Sequence, residues 1–139
     1  MNLGLSGKNS LITGSSSGLG FAAAKILLAE NVNTIINGRN EEKLKISVEN
    51  LKTETGKMPL FLSGDVTDHE FPERLVEFVN NNFSCLDILI TNSGGPPPGQ
   101  FEEFSDENWQ YAVECRFCPT YGLYDHFYPY CASLKHHQC

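Results

Sequence analysis

The sequence predicts an α/β fold, a doubly wound parallel sheet that is incomplete at about four strands and is followed by a tail of different character. Three observations lead to this prediction. Short apolar runs alternate with longer amphipathic runs between Lys8 and Asn92. The first apolar run leads directly into a glycine-rich turn over residues 14–20. After Glu114 the alternation ends, and residues 115–139 have the periodicity of neither a helix nor a strand.

The predicted strands are short and almost continuously apolar, as is typical of parallel strands that helices cover on both faces. The strands occupy residues 10–13, 33–37, 59–62 and 86–91, and the helices between them occupy residues 21–30, 41–55 and 71–82. Gly56 and Pro59 oppose continuation of the second helix. Another helix begins near Ser105, which suits an N-cap, and Trp109 is expected to face inward. In such a sheet a ligand binds at the carboxyl ends of the strands.

The composition indicates a globular protein with an acidic balance of charge. Of the 139 residues, 40% are hydrophobic, and the formal net charge is −7. Since the pI is near 5.0 and Lys and Arg do not cluster, we expect no nucleic-acid partner. The sequence has no apolar run long enough to cross a bilayer and no signal-peptide pattern, so we expect no membrane partner and a cytoplasmic location.

The glycine-rich turn predicts a phosphate-binding site. A strand that breaks on glycine and restarts as a helix directs free backbone N–H groups and the positive helix end at one point. Gly14 suits the tight turn, Gly18 leaves room for a diphosphate, and Gly20 allows helix and strand to pack closely. The residues predicted to form this diphosphate cradle are Gly14, Ser15, Ser16, Ser17, Gly18, Leu19 and Gly20.

The spacing Thr-Gly-x-x-x-Gly-x-Gly of residues 13–20 resembles the short-chain dehydrogenase/reductase family, and three later segments match that family in the expected order. The resemblance covers roughly residues 1–114. It implies a Rossmann-like half-domain there that binds a nicotinamide dinucleotide, and an irregular tail over residues 115–139, rich in Cys and aromatic residues, outside the family. It also implies an oxidoreductase that transfers hydride between the dinucleotide and a small carbonyl or alcohol substrate.

The end of the second strand, residues 37–40, implies which dinucleotide is bound. In the family, a carboxylate here binds the adenosine ribose of NAD, whereas the 2′-phosphate of NADP needs a cation. This sequence has Arg39 and no acidic residue there, which favours NADP(H), because arginine can make paired hydrogen bonds to a phosphate. Ser15 is a candidate second donor to that phosphate. Alternatively, Arg39 only caps a surface turn.

The third matching segment, residues 64–67, closes the third strand. In the family, an aspartate here accepts a hydrogen bond from the adenine amino group and the next residue supports the ring. The resemblance gives these roles to Asp65 and Val66. Asp65 is alternatively an N-terminal cap of the next helix, and both roles can coexist if Thr67 or Asp68 is the cap.

The fourth segment, residues 91–95, is similar to the family's Asn-Ala-Gly element, with Ser93 in place of alanine. The resemblance implies that the Asn92 amide braces the central strands. It also implies that Ser93 and Gly94 adjoin the nicotinamide ribose, for which the glycines leave room. The run Pro-Pro-Pro-Gly-Gln-Phe of residues 96–101 resembles the substrate-side loop of some 3-oxoacyl-carrier-protein-reductase-like members. Alternatively, the segment is an ordinary loop rich in Gly and Pro.

The family's proton-transfer residues have no counterpart in this sequence. They are a serine, a Tyr-x-x-x-Lys motif and an asparagine, which protonate and polarise the reacting oxygen. None of the five tyrosines is followed by a lysine four positions later, and Arg116 stands where the asparagine is expected. We therefore expect a truncated copy with no catalytic residues, little turnover on its own, and most of the family's oligomerisation surface absent.

Two interpretations of residues 115–139 are open. The preferred one is translation out of the ancestral frame, which puts the tail under no requirement to match a core. The alternative is a non-catalytic nucleotide-binding module with a zinc site, because Cys and His recur in the tail at a spacing close to that of small zinc sites. The candidate ligands are Cys115, Cys118, Cys131 and His136, with His137 and Cys139 as spares.

Overall fold

The computed structural model describes residues 3–94 and 99–116 and, in addition, residues 123, 125 and 127. Its strands are β1 (Asn9–Ile12), β2 (Asn33–Gly38), β3 (Leu60–Ser63) and β4 (Ile88–Ile90), and its helices are α1 (Gly18–Ala29), α2 (Glu41–Thr55), α3 (Phe71–Asn82) and α4 (Asp106–Arg116). The predicted alternation is confirmed, and α2 and α3 have the predicted bounds. No helix in these described ranges is long and apolar enough to span a bilayer.

Within this part of the chain the four strands form one parallel sheet in the order β3-β2-β1-β4. The chain winds outward from β1 to β3 and then returns to place β4 on the other side of β1. In register, Leu11 of β1 lies between Ile35 of β2 and Leu89 of β4. The strand order reverses between β1 and β4, and ligands of doubly wound sheets bind at the carboxyl ends of the strands at such a point. The predicted doubly wound parallel sheet is confirmed.

Two apolar clusters cover the two faces of the sheet. Ile12 and Ile36 point into the first cluster, which packs α1 and α2 against one face. Leu11 and Ile35 point into the second cluster, which packs α3 against the other face. All four side chains are fully buried. Because successive residues of a strand point to opposite faces, each of these strands needs apolar residues at consecutive positions.

Two residues of the predicted tail belong to the second cluster. Leu123 and Phe127 are helical, are 0% and 1% exposed, and share that cluster with Phe71 and Leu75 of α3. A spacing of four residues puts both on one helix face. The expectation that the tail need not match a core is therefore wrong at these two positions, because the mixed Cys and aromatic composition concealed an apolar pair at helical spacing. The division of the chain at residue 114 stays a prediction.

The ends of the first two helices follow from local backbone chemistry. Helix α1 begins at Gly18 rather than at residue 21. Glycine has a low intrinsic helix propensity, which favoured the later start, but the glycines of this first turn carry no side chains and so let the turn approach β1. Helix α2 ends at Gly56, whose φ of +71° and N–H bond to the Lys52 carbonyl form a left-handed cap. The predicted stop at Gly56 is confirmed.

The start of α4 is capped as the sequence predicts. The Asn108 N–H donates to Ser105 Oγ at 3.4 Å, and the Ser105 N–H donates to Asn108 Oδ1 at 3.1 Å, a reciprocal pair of capping bonds. The inward position predicted for Trp109 is wrong. Its side chain is 43% exposed and packs edge-on against Phe104 in the preceding turn, with ring centroids 6.0 Å apart.

Candidate functional site

The turn after β1 is built by glycines that other residues cannot replace. Gly14 has a φ of +56°, which an L side chain rarely adopts. A Cβ on Gly14 would lie 2.5 Å from the Asn92 carbonyl oxygen, and one on Gly20 would lie 2.5 Å from the Gly14 carbonyl oxygen. The first turn of α1 therefore packs directly on the end of β1, as predicted for Gly14 and Gly20.

The ends of β1 and β4 are joined by Thr13 and Asn92. Thr13 Oγ1 donates to the Asn92 carbonyl at 2.8 Å and accepts the Asn92 N–H at 2.9 Å. The Asn92 side-chain amide donates to the Gly14 carbonyl at 2.8 Å. The bracing predicted for Asn92 is confirmed, and the role of Thr13 in it is new.

Ser15 lies inside the protein rather than in the site. Its side chain is 0% exposed, and Oγ lies 2.8 Å from the Ile12 carbonyl while accepting the Asn37 N–H at 3.0 Å. The predicted donation from Ser15 to a 2′-phosphate is therefore wrong, because backbone groups of β1 and β2 already occupy this hydroxyl. Sequence reasoning also missed Asn37, whose buried amide donates to the Leu62 and Gly64 carbonyls and fixes the end of β3 beside that of β2.

The N-terminus of α1 is open to a ligand. Ser17 has extended backbone and makes no side-chain capping bond, so the first N–H groups of the helix are left for another acceptor. A Cβ on Gly18 would meet no atom within 4 Å, and Leu19 is 84% exposed. No acidic residue stands in the first turn to compete for the positive helix end. This arrangement is chemically suited to a diphosphate.

A cleft of about 290 Å³ opens at the carboxyl ends of the strands, beside the uncapped turn. The predicted site residues that line it are Gly14, Ser16, Ser17, Arg39, Asp65, Val66, Asn92, Ser93 and Gly94. Four segments that are far apart in the sequence therefore meet in one cleft. Of the remaining predictions, Ser15 and Gly20 are buried beneath it, whereas Gly18 and Leu19 are exposed beside it.

Arg39 and Asp65 face each other across this cleft. The closest approach is 3.9 Å, from Arg39 Nη1 to Asp65 Oδ2, and the side chains are 65% and 40% exposed. A contact this long between exposed groups is worth little, so the guanidinium can exchange it for a phosphate. The N-cap of α2 is the next residue, Asn40, whose Oδ1 accepts the Lys43 N–H; the alternative that Arg39 only caps a surface turn stays open.

Asp65 shapes its own turn. Its Oδ1 accepts the Thr67 N–H at 2.9 Å and the Thr67 hydroxyl at 2.8 Å, while α3 begins only at Phe71. Asp65 is therefore not the N-cap of α3, which corrects that alternative. Gly64 precedes this turn, and a Cβ on Gly64 would lie 1.9 Å from the Phe71 ring, so the position has no room for a side chain.

Besides Asn37, the lining of the cleft includes two further residues that sequence reasoning missed, Lys43 and Tyr111. Lys43 comes from the first turn of α2, four residues after Arg39, and that spacing was a usable signal. Tyr111 comes from α4 and is 42% exposed. Nothing local in the sequence indicates that α4 borders the carboxyl ends of the strands.

A larger depression of about 580 Å³ lies at the opposite edge, at the amino ends of the strands. Leu28 and Asn82, from the last turns of α1 and α3, form part of its wall. Because C-terminal helix ends carry partial negative charge, this depression is unsuited to a phosphate. The smaller cleft is thus the better candidate despite its size.

Several predictions fall outside the described residues. These are the Gly95 and proline loop over residues 95–98 and the zinc alternative, which depends on Cys118, Cys131, His136, His137 and Cys139. In the part of the chain that the structure describes, no three Cys, His, Asp or Glu side chains converge as metal ligands do.

Comparison with known proteins gives the family. A sequence model of the short chain dehydrogenase family matches residues 8–138, which runs past residue 114, where we placed the end of the resemblance. The chain is 36% identical over 110 residues to the uncharacterized oxidoreductase YvaG of Bacillus subtilis, covering 78% of this chain and 40% of that protein. It is 27% identical over 123 residues to the 3-oxoacyl-[acyl-carrier-protein] reductase FabG of Chlamydia muridarum, covering 88% of this chain and 50% of that protein.

A solved structure gives the same answer. L-sorbose reductase from Gluconobacter frateurii, complexed with NADPH and L-sorbose, matches with a TM-score of 0.87 at 31% identity, covering 96% of this chain and 51% of that chain. The chain thus spans about half the length, or less, of these relatives. From the family match, the parallel sheet and the glycine turn together, the chain belongs to the short chain dehydrogenase family.

Proposed function

We propose that this chain is the dinucleotide-binding part of an NADP(H)-dependent oxidoreductase that transfers hydride between nicotinamide and a small carbonyl or alcohol. One observation carries the proposal: the uncapped N-terminus of α1 and the Arg39 guanidinium border one cleft at the carboxyl ends of the strands. The first is suited to a diphosphate and the second to a 2′-phosphate. The solved relative with bound NADPH supports the same assignment.

The proposed binding mode follows the order of the lining segments. The diphosphate lies over the open turn at Ser17 and Gly18, which has room for it because Gly18 carries no side chain. Adenine lies at Asp65 and Val66, and the nicotinamide ribose lies by Ser93 and Gly94. A Cβ on Gly94 would meet no atom within 4 Å, so this position leaves room for the ribose. When bound, the dinucleotide supplies or accepts hydride at the nicotinamide ring.

We propose that Arg39 selects the phosphorylated dinucleotide. Its side chain is 65% exposed and its contact to Asp65 is long, so little free energy opposes its turning towards a phosphate. The Asp65 carboxylate is held by Thr67 at its other oxygen and so stays in the turn. Arginine binds phosphate through two parallel N–H bonds, a geometry that a ribose hydroxyl does not match.

The binding proposal is tested by titrating the purified chain with NADPH and with NADH while nicotinamide fluorescence is recorded. We expect NADPH to bind more tightly than NADH, and Arg39→Gln to weaken NADPH binding at least about tenfold, the loss of a charge-assisted pair, while NADH changes little. Lys52→Gln, at the far end of α2, is the matched control. Absence of NADPH binding at millimolar concentration, or an Arg39 variant with unchanged affinity, contradicts the proposal.

We further propose that these 139 residues bind the dinucleotide without turning over a substrate, because they contain no Tyr-x-x-x-Lys motif to donate the proton. The test measures NADPH oxidation by the chain with small ketones and a 3-oxoacyl thioester. We expect no rate above the blank. Carbonyl-dependent NADPH oxidation that is abolished by a Tyr→Phe substitution at any one of the five tyrosines would overturn this part of the proposal.

A further inference from the structure

We propose that Lys43 is a second cation for the 2′-phosphate and a determinant of the preference for NADP(H). This inference rests on the proposed binding of NADP(H). Lys43 lines the same cleft as Arg39, together with Asn40 and Ser16. Nothing in the sequence pattern of the cradle assigns it a role.

The backbone of Lys43 is fixed beside the diphosphate cradle. Its N–H donates to Asn40 Oδ1 at 2.9 Å, which places it in the first turn of α2. The buried Ser47 hydroxyl lies 2.7 Å from the Lys43 carbonyl and 2.8 Å from the Ser16 carbonyl. This hydroxyl therefore joins the first turn of α2 to the glycine-rich turn, which fixes the backbone of Lys43 beside the cleft.

The ammonium of Lys43 is available, although two carboxylates lie next to it in the sequence. Glu41 and Glu42 both pair with Lys45, at 2.9 and 3.4 Å. These hydrogen bonds raise the pKa of Lys45, so Lys45 is the lysine that neutralises the acidic start of α2. Lys43 makes no ion pair with any residue that the structure describes.

Two cations at the cleft match the charge of a 2′-phosphate, which carries close to two negative charges at neutral pH. Arg39 supplies a planar pair of donors, whereas Lys43 supplies a point charge on a flexible stem. A ribose hydroxyl offers no charge to either group. Lys43 should therefore stabilise bound NADP(H) and leave NAD(H) nearly unaffected.

The test compares Lys43→Gln, Lys43→Arg and Lys52→Gln for NADPH and NADH binding by nicotinamide fluorescence. Lys52→Gln removes the same charge from the last turn of α2 and serves as the matched control, because Lys52 does not line the cleft. We expect Lys43→Gln to weaken NADPH binding about tenfold. We expect NADH binding to stay within about twofold in every variant, and Lys43→Arg to retain NADPH binding.

A second readout is the 31P chemical shift of 2′,5′-ADP, whose 2′-phosphate signal should move less on binding to Lys43→Gln than on binding to the unchanged chain. Unchanged NADPH affinity in Lys43→Gln, or an equal loss for NADPH and NADH, overturns the inference while NADP(H) binding itself stands. If the unchanged chain binds no NADPH, the proposed function fails and the inference fails with it.

Discussion

Gly20 lies directly against Gly14: a Cβ on Gly20 would stand 2.5 Å from the Gly14 carbonyl oxygen and 2.8 Å from Ser15 Cα. Both are backbone atoms, which cannot rotate away as the end of a side chain can. The same Gly14 carbonyl accepts the Asn92 amide. The start of α1, the end of β1 and the end of β4 are therefore packed through one peptide group, which sets the geometry of the cleft.

Gly20→Ala should lower the free energy of unfolding by about 3 kcal/mol, because the methyl group forces backbone apart in a packed interior. It should also abolish dinucleotide binding, since the helix N-terminus moves with it. Urea unfolding and NADPH titration measure the two effects. Gly94→Ala is the control for stability, because its methyl group enters open space, and a change within about 0.5 kcal/mol is expected. Equal stability of the two variants contradicts this account.

Asn92→Ala should destabilise the fold by about 1–3 kcal/mol, because the Gly14 carbonyl loses its donor. Asn92→Asp should cost more at pH 7, since a carboxylate oxygen then faces that carbonyl. As the pH falls towards about 4 the aspartate binds a proton and can donate, so the gap between the two variants should close. Urea unfolding at both pH values tests this, with exposed Asn50→Asp as the control. A gap that does not depend on pH contradicts the assigned hydrogen bond.

Gly64→Ala should destabilise by about 2–3 kcal/mol, because its methyl group collides with the buried Phe71 ring. Phe71→Leu alone should cost about 1–2 kcal/mol of core packing. In the double variant the smaller side chain makes room, so the combined loss should be less than the sum. A double-mutant cycle on urea unfolding checks the coupling, and strict additivity would show that the two residues do not meet.

Leu123→Ala and Phe127→Ala should each lower the free energy of unfolding by about 2–5 kcal/mol, because both side chains are buried in the second cluster. Asp125→Ala is the matched control, since Asp125 is exposed between them, and should change stability by less than about 0.5 kcal/mol. Thermal unfolding of the full chain measures all three. Three equal and small effects would mean that this segment does not contribute to the core.

The start of α4 should depend on pH. The Ser105 hydroxyl bonds to Glu107 and lowers the pKa of that carboxyl from its ordinary value of 4.5. Because the folded pKa lies below the unfolded one, the ionised form stabilises the helix start, fully above pH 4.5 and progressively less as the pH falls through the folded pKa. An NMR titration of Glu107 should show its pKa rise in Ser105→Ala. An unchanged value would remove the bond.

Local signals in the sequence were enough to predict the order of the elements, the glycine-rich turn and the bounds of α2 and α3. These depend on local signals, which are glycine conformations, apolar periodicity and helix caps. The tight turn at Gly14 and the close packing at Gly20 follow from residue type and spacing, whereas the bracing by Asn92 was implied by the family resemblance. Whether the dinucleotide is NADP(H) stays a proposal, because the positions of Arg39 and Lys43 do not by themselves identify the anion that they bind.

The surroundings of each polar group, in contrast, depend on how the elements pack together. Ser15 looks like a donor in the sequence, yet its hydroxyl is spent between β1 and β2. Lys43 of α2 and Tyr111 of α4 line the same cleft, and Leu123 and Phe127 pack in a core whose other buried residues lie between Leu11 and Leu86. Such contacts are long-range, and side-chain burial depends on neighbours that local periodicity does not reveal.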